Sequence, residues 1–369
     1  MKEGWEYKKF EDALQKVKYT KKLQTSEFLS EGSIPIISQE EEYISGYWNK
    51  SEDSFKVDSA VVIFGDHSRV LKYVDFDFVL GADGVKILKP IDGLQAKYLY
   101  HYLKWYNVPS MGYSRHYKFL KEITLPIPSP SEQKQIVAEL DLLSGAIEKQ
   151  KSQLEELDEL AQSIFYDMFG DPVTNEKGWD IIKWKDLFNT RLGKMLDRSK
   201  QSQDDKEYLY LANANVKWGY FDLSNLRSMT FNNDEIDEFK LLKGDLLICE
   251  GGESGRCAIW KEENSQIRFQ KALHRARIKD VNSINQVYTQ YYLFFIKKNG
   301  GLKDYISKAT IEHLTGVMLN KVPVMCPPLA LQQEFASKIE AIESMKAKVR
   351  QSLSEAETLF NSRMDYYFN

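Results

Sequence analysis

Residues 129–169 constrain this chain more than any other stretch. It opens Ser129-Pro130-Ser131-Glu132-Gln133. Ser129 suits an N-cap, Pro130 the first helical position and Glu132 the acid of a capping box. Apolar residues then fall at Ile136, Leu140, Leu143, Ile147, Leu154, Leu157, Ala161, Ile164 and Met168, with Gln150 at the one vacant position. Spacing that alternates between four and three is a coiled-coil seam. At about 1.5 Å per residue the helix would be roughly 60 Å long. A stripe that narrow on a helix that long needs a partner.

The partner is expected in the same chain. Shifted by 199 positions the stretch returns without a gap: Leu120 maps to Leu319, Pro128 to Pro327, Gln133 to Gln332, Leu154 to Leu353 and Phe169 to Phe368. The second seam reads Phe335, Ile339, Ile342, Val349, Leu353, Ala356, Phe360 and Tyr367, interrupted by Lys346 and Arg363. Leu331 stands where Glu132 stood, so the second capping box is gone. The preceding segments repeat as well. Gly4-Trp5-Glu6 returns 174 positions later as Gly178-Trp179-Asp180. A period this long means duplicated domains and not a solenoid of short repeats. The expected division is a globular segment 1–128, a long helix 129–170, a second globular segment 171–327 and a second long helix 328–369.

Each globular segment reads as a mixture of short strands and a few helices. In the first, Ile34–Ile37, Ala60–Phe64 and Val85–Leu88 are apolar runs of strand length, and Tyr98–Trp105 is a short aromatic helix. In the second, Tyr208–Leu211, Gly244–Ile248 and Ile267–Ile278 are the expected strands, with Arg275, Arg277 and Lys279 alternating on one face, and Tyr288–Lys298 is the matching helix. The fold class is therefore α+β, with two duplicated globules joined by two long antiparallel helices about a pseudo-twofold axis.

No enzyme is legible. There is no phosphate loop of the GxxxxGK[ST] form and no Asp/Asn-Pro-Pro-aromatic motif. Gly252-Glu253-Ser254-Gly255-Arg256 fails as a nucleophile elbow because Arg256 takes the place of the last glycine. Three cysteines and five histidines lack metal-ligand spacing, so no catalytic and no metal residue is expected. No apolar run reaches membrane-span length and no secretory leader is visible, so a cytoplasmic protein is expected. The net charge of −4 means that any nucleic-acid face must be a local patch.

Two such patches are visible. Arg115, His116 and Lys118 stand with Tyr113 and Tyr117 just before the first long helix. Arg268, Lys271, His274, Arg275 and Arg277 cluster in the second segment. Basic side chains bind phosphates and read guanine, and amides and aromatics supplement them.

The duplicated layout resembles the specificity subunit of type I restriction-modification systems, the HsdS family, over nearly the whole chain. The carriers are Gly4-Trp5 and Gly178-Trp179, Gly81-Ala82-Asp83-Gly84-Val85 and Lys271-Ala272-Leu273-His274-Arg275, His116-Tyr117-Lys118-Phe119-Leu120 and His313-Leu314-Thr315-Gly316. The strongest is the pair Pro128-Ser129-Pro130-Ser131-Glu132-Gln133 and Pro327-Pro328-Leu329-Ala330-Leu331-Gln332. These resemble the family's Pro-Pro-Leu-x-Glu-Gln helix starts, departing at Ser129 and Pro130 in the first copy and at Leu331 in the second.

The resemblance implies that segments 1–128 and 171–327 are target recognition domains, each reading one half of a split double-stranded DNA site. It implies that the helices set the unread spacer and dock two modification subunits, with two restriction subunits joining the same complex. S-adenosylmethionine would sit in the modification subunits, ATP and Mg in the restriction subunits, and no cofactor in this chain, a non-catalytic DNA-recognition subunit. A scaffold that binds only proteins, or a recognition subunit of a related methyltransferase, stays open beside this reading. The expected DNA contacts are polar loop residues flanking strands. In the first segment they are Ser38, Gln39, His67, Ser68, Arg69, Ser114, Arg115, His116 and Lys118. In the second they are Asn213, Asn215, Lys217, Ser254, Arg256, Lys271, His274 and Arg275.

Overall fold

The computed structural model describes residues 2–82, 84–112, 114–195, 206–263, 266–308 and 312–369. Two helices of 40 residues, Pro130–Phe169 and Leu329–Phe368, organise it. The chain divides into two compact units: unit 1 runs up to Gln153 and adds Val349–Asn369, and unit 2 is Leu154–Lys348. Segments read from the sequence follow the chain. The compact units follow contacts, and each takes part of each long helix: 130–153 and 349–368 in unit 1, 154–169 and 329–348 in unit 2.

Unit 1 is built on a four-stranded antiparallel sheet in the order Leu14–Gln15, Val85–Pro90, Val61–Gly65, Leu71–Val74. Val61-Val62-Ile63-Phe64 is wholly buried, which is why this β-branched run lies inside the sheet. A second sheet orders Lys22–Leu23, Val79–Gly81, Ile34–Ile37 and Gly46–Trp48, and pairs the middle two in parallel. The helix Ala96–Tyr106 covers the first sheet and buries Tyr98, Leu99, Tyr102 and Leu103.

Unit 2 repeats the plan. Its main sheet orders Phe188–Leu192, Leu273–Ile278, Leu246–Cys249 and Cys257–Ile259, and the helix Gln286–Lys298 covers it. The parallel pair returns as Lys206–Leu211 beside Arg268–Phe269. One expectation is corrected here. Ile267–Ile278 is not one strand, because a turn at Lys271-Ala272 splits it into Arg268–Phe269 and Leu273–Ile278. Ala272 adopts φ +96 there, in the region where unit 1 places Gly84 at φ +87. A Cβ hides that turn from a reader looking for glycine.

Both long helices start on the same device. Gln133 is fully buried; its Oε1 accepts from Gln95 N (2.8 Å) and its Nε2 donates to Gly93 O (2.8 Å) and Pro128 O (2.9 Å). Gln332, also fully buried, accepts from Asn285 N (2.9 Å) and donates to Pro327 O (2.7 Å). Gln95 and Asn285 are the N-caps of the two short aromatic helices, so each glutamine ties a long helix to a short one. The capping box expected at Ser129 forms: Ser129 N donates to Glu132 Oε2 (3.0 Å) and Glu132 N to Ser129 Oγ (3.3 Å).

In each unit the two helix halves run antiparallel. In unit 1, Arg363 meets Glu139 through Nε–Oε1 (2.5 Å) and Nη2–Oε2 (3.0 Å), and Gln150 Nε2 donates to Ser352 Oγ (2.6 Å). In unit 2, Lys346 Nζ donates to Asp158 Oδ1 (2.5 Å) and Glu343 Oε1 (2.8 Å). The two residues that interrupt the second stripe are thus its charged pairs. The stripe also drifts. Near the helix ends the buried positions are Phe165 and Phe169, and Met364 and Phe368, one residue later than the heptads Ile164 and Met168, and Arg363 and Tyr367. A straight helix of 3.6 residues per turn advances about 20° per heptad on a 3.5 repeat. Large aromatic neighbours fix the shift: Phe165 packs on Phe295 (4.6 Å) and Phe335 (5.6 Å), and Phe368 on Tyr98 (5.6 Å) and Tyr102 (5.5 Å).

Candidate nucleic-acid interface

In unit 1, four loops meet around Asp66, at the turn after the strand Val61–Gly65. Asp66 N donates to Gly84 O (2.7 Å), its carbonyl accepts from His116 N (2.7 Å), and its Oδ1 accepts from Tyr117 N (2.8 Å). The loop after Ile34–Ile37 joins through Gln39, whose carbonyl accepts from Ser68 Oγ (2.6 Å) and whose Oε1 accepts from His67 N (3.3 Å). Gly84 favours glycine: its φ of +87 is left-handed, and a Cβ would lie 2.6 Å from Gln39 Oε1, which would have to move.

Unit 2 builds the same junction around Glu250, after Leu246–Cys249. Glu250 N donates to Ala272 O (2.8 Å), and its carbonyl accepts from Leu314 N (2.7 Å). Asn213 holds Gln39's place and donates from Nδ2 to Gly251 O (2.8 Å). The same backbone frame is made twice, with different side chains mounted on it.

The expected contact residues divide by burial. In unit 1, Ser68, Arg115 and Lys118 are exposed, and Gln39, His67, Arg69 and Ser114 half-buried, all on the loops that meet at Asp66. Arg115 has no hydrogen bond or ion pair among the described residues, and Lys118 lies over the Phe119 ring (5.0 Å). Arg69, at φ +65, ties its Nη1 to Val108 O (2.8 Å). In unit 2, Lys271 is exposed, and Asn213, Lys217 and Arg256 are half-buried. Tyr113 and Asp83 lie outside the described residues.

The remaining side chains of the expected set turn inward. Ser38 Oγ bonds Ser45 Oγ (2.6 Å), and His116 Nδ1 bonds the Asp66 carbonyl (3.0 Å). Asn215 Nδ2 donates to Asp222 O (2.9 Å), Ser254 Oγ donates to Glu250 O (2.9 Å), and His274 Nε2 bonds Leu314 O (3.0 Å). Arg275 Nη1 donates to Glu238 O (2.7 Å) and Lys240 O (3.1 Å). Burial lowers the pKa of both Arg275 and His274. Arg277 forms a bidentate pair with buried Asp245 (2.7 and 2.8 Å). Much of the second basic patch is internal wiring, because a polar strand of alternating pattern can be buried by helices and loops that the pattern does not reveal.

Sequence reading missed the two hubs, Asp66 and Glu250. Cations and amides are the groups that bind phosphates and bases, and an acid carries no such mark. The available signal was position: each acid directly ends an apolar strand, Val61–Gly65 in one copy and Leu246–Cys249 in the other.

Among the described residues no group of acids, histidines and cysteines could hold a metal ion, and no helix is long and apolar enough to cross a membrane. Cys249 and Cys257 are buried, with burial pushing the Cys249 thiol up to about 11.

The fold thus defines a class: paired α+β units on long helices, each presenting one polar loop junction. The family model for the type I restriction modification DNA specificity domain matches residues 2–157 and 176–357. The chain belongs to that family, as a non-catalytic DNA-specificity subunit. No curated protein sequence matches it. Among solved structures, the type I restriction-modification S subunit from M. genitalium is similar at TM-score 0.62 and 16% identity, over 98% of this chain and 95% of that one. A chain from a structural study of complex assembly and conformational transition in the type I R-M system aligns at TM-score 0.57 and 16% identity, over 100% and 98%. At that identity these likenesses show the fold.

Proposed function

We propose that each unit reads one half of a bipartite double-stranded DNA site through its loop junction, and that the paired helices set the unread spacer. One observation carries this reading: the Asp66 and Glu250 junctions share their backbone hydrogen bonds and differ in the side chains they present. A frame repeated with changed readers suits two different half-sites. Phosphate contacts would come from Lys118 and Lys271, and base or phosphate contacts from Arg115, Gln39, His67, Ser68, Arg69, Ser114, Asn213, Lys217 and Arg256. The repeat also offers two equivalent docking faces for two modification subunits, which would bring S-adenosylmethionine. Restriction subunits would bring ATP and Mg.

The test is to map base modification in cellular DNA after co-expressing this chain with its cognate modification subunit. A new methylated motif in two parts separated by an unread gap is the expected result. A stable complex that adds no motif refutes the reading.

A further inference from the structure

A carboxylate is costly on a surface that meets DNA, since it faces a phosphate row of its own sign. Glu250 is such a residue. It lines a cleft of about 220 Å³ with Met195, Gly251, Gln270, Lys271, Ala272 and His313. Its backbone is clamped: N–H to Ala272 O, and the carbonyl to Leu314 N–H and the Ser254 hydroxyl. The side chain is half-buried, and among the described residues its carboxylate has no hydrogen bond or ion pair.

The counterpart in unit 1 is the contrast. Asp66 occupies the same junction but is only 3% exposed, and its Oδ1 is used internally by Tyr117 N. The second unit makes the same backbone junction without spending its acid. Glu250, one methylene longer than Asp66, keeps its acceptor oxygens uncommitted on a backbone that is fixed, in a cleft shared with Lys271 and Gln270.

Duplex DNA offers few donors to such an acceptor. In the major groove they are the exocyclic amino groups, N4 of cytosine and N6 of adenine. Guanine and thymine present only acceptors or a methyl at their major-groove edges, and would be repelled. We propose that Glu250 is a specificity-determining residue of unit 2, whose carboxylate accepts from the amino group of one cytosine or adenine in the half-site that this unit reads. The exposed Lys271 lines the same cleft and offsets its charge against the phosphates. This rests on the reading that unit 2 contacts DNA bases.

The experiment is to select bound duplexes from a randomised library with the complex of the full chain and its modification subunit, for the native chain and for Glu250→Gln. Each base pair carries one such amino group, so the native complex should fix one base pair of the second half-site, and whether that pair is A·T or C·G separates the two donors; the Glu250→Gln change at that pair assigns it to Glu250. In Glu250→Gln the preference at that single position should fall about ten-fold or change base. The first half-site should be untouched and the thermal midpoint kept. Unchanged preferences at every position overturn the assignment. So does uniform weakening over all sequences, which would make Glu250 a structural residue. A native complex with no half-site preference would instead sink the DNA-reading function itself, and this inference with it.

Discussion

Gln133 and Gln332 make the same joint 199 residues apart. Each is fully buried, each accepts from the backbone N–H of a short helix's N-cap, and each donates to the proline carbonyl five residues before it. An amide is needed because both a donor and an acceptor must be met inside the protein. Leucine at either position fills the volume and strands those groups, each at a cost of about 1–3 kcal/mol. Gln332→Leu should therefore lower the unfolding free energy by about 2 kcal/mol. Gln133→Leu should cost more, since it also releases Gly93 O. Urea denaturation checks the order; a Gln332→Leu chain as stable as the native one contradicts the joint.

Ala272 holds φ +96 at the turn where unit 1 has Gly84. A side chain in that region stores about 1–3 kcal/mol of backbone strain. Ala272→Gly should raise stability by about 1 kcal/mol, with the relief partly offset by the extra freedom of glycine in the unfolded chain. Gly84→Ala should do the reverse and more, because of Gln39 Oε1. Thermal midpoints of the two variants should move in opposite directions.

Two arginines that look alike in sequence should behave differently. Arg115 is exposed without a partner among the described residues, so Arg115→Ala should leave the urea midpoint in place and weaken DNA binding by about 1–3 kcal/mol if it reads a base. Arg275 serves two carbonyls at the end of the helix Asn233–Glu238. Arg275→Ala should lower stability by about 1–3 kcal/mol. Paired binding and denaturation data decide it, and the pattern reversed would refute the assignment.

Two imidazoles give the pH dependence. His101 and His274 are both held below the ordinary value of 6.5, chiefly by burial, against the opposing pull of Asp141 on the first and of the Leu314 carbonyl and Glu250 on the second. The unfolded chain therefore takes up protons that the folded one refuses. Stability from these groups is present above 6.5 and is lost as pH falls through the lowered folded values. The urea midpoint should drop between about pH 7.5 and about pH 5.5, before the carboxylates titrate. A midpoint that holds or rises on that acidification contradicts the assignment.

The helices were legible because period is a long-range signal: one wrong residue does not hide 40 in register. The drift to Phe165 and Phe368 was not, since it depends on which aromatic neighbours wait at the far end. The loop junctions show the same divide. Loop positions such as Arg115 and Lys271 were readable from polarity beside strands. The inward turn of His116, His274 and Arg275 was not, because their partners are backbone carbonyls between 35 and 50 residues away, and a carbonyl leaves no letter in the sequence.

Unit 2 is continuous in the chain, while unit 1 needs Val349–Asn369 to close. Phe360, Met364 and Phe368 pack into the core that Phe10, Tyr98 and Leu140 begin. During synthesis the part made first is therefore the last able to finish. Its apolar seam from Ile136 to Ile147 waits uncovered while some 200 further residues leave the ribosome at about 5–20 per second. The repeat that emerges second completes first, and the end of the chain then serves as the closing piece of its beginning.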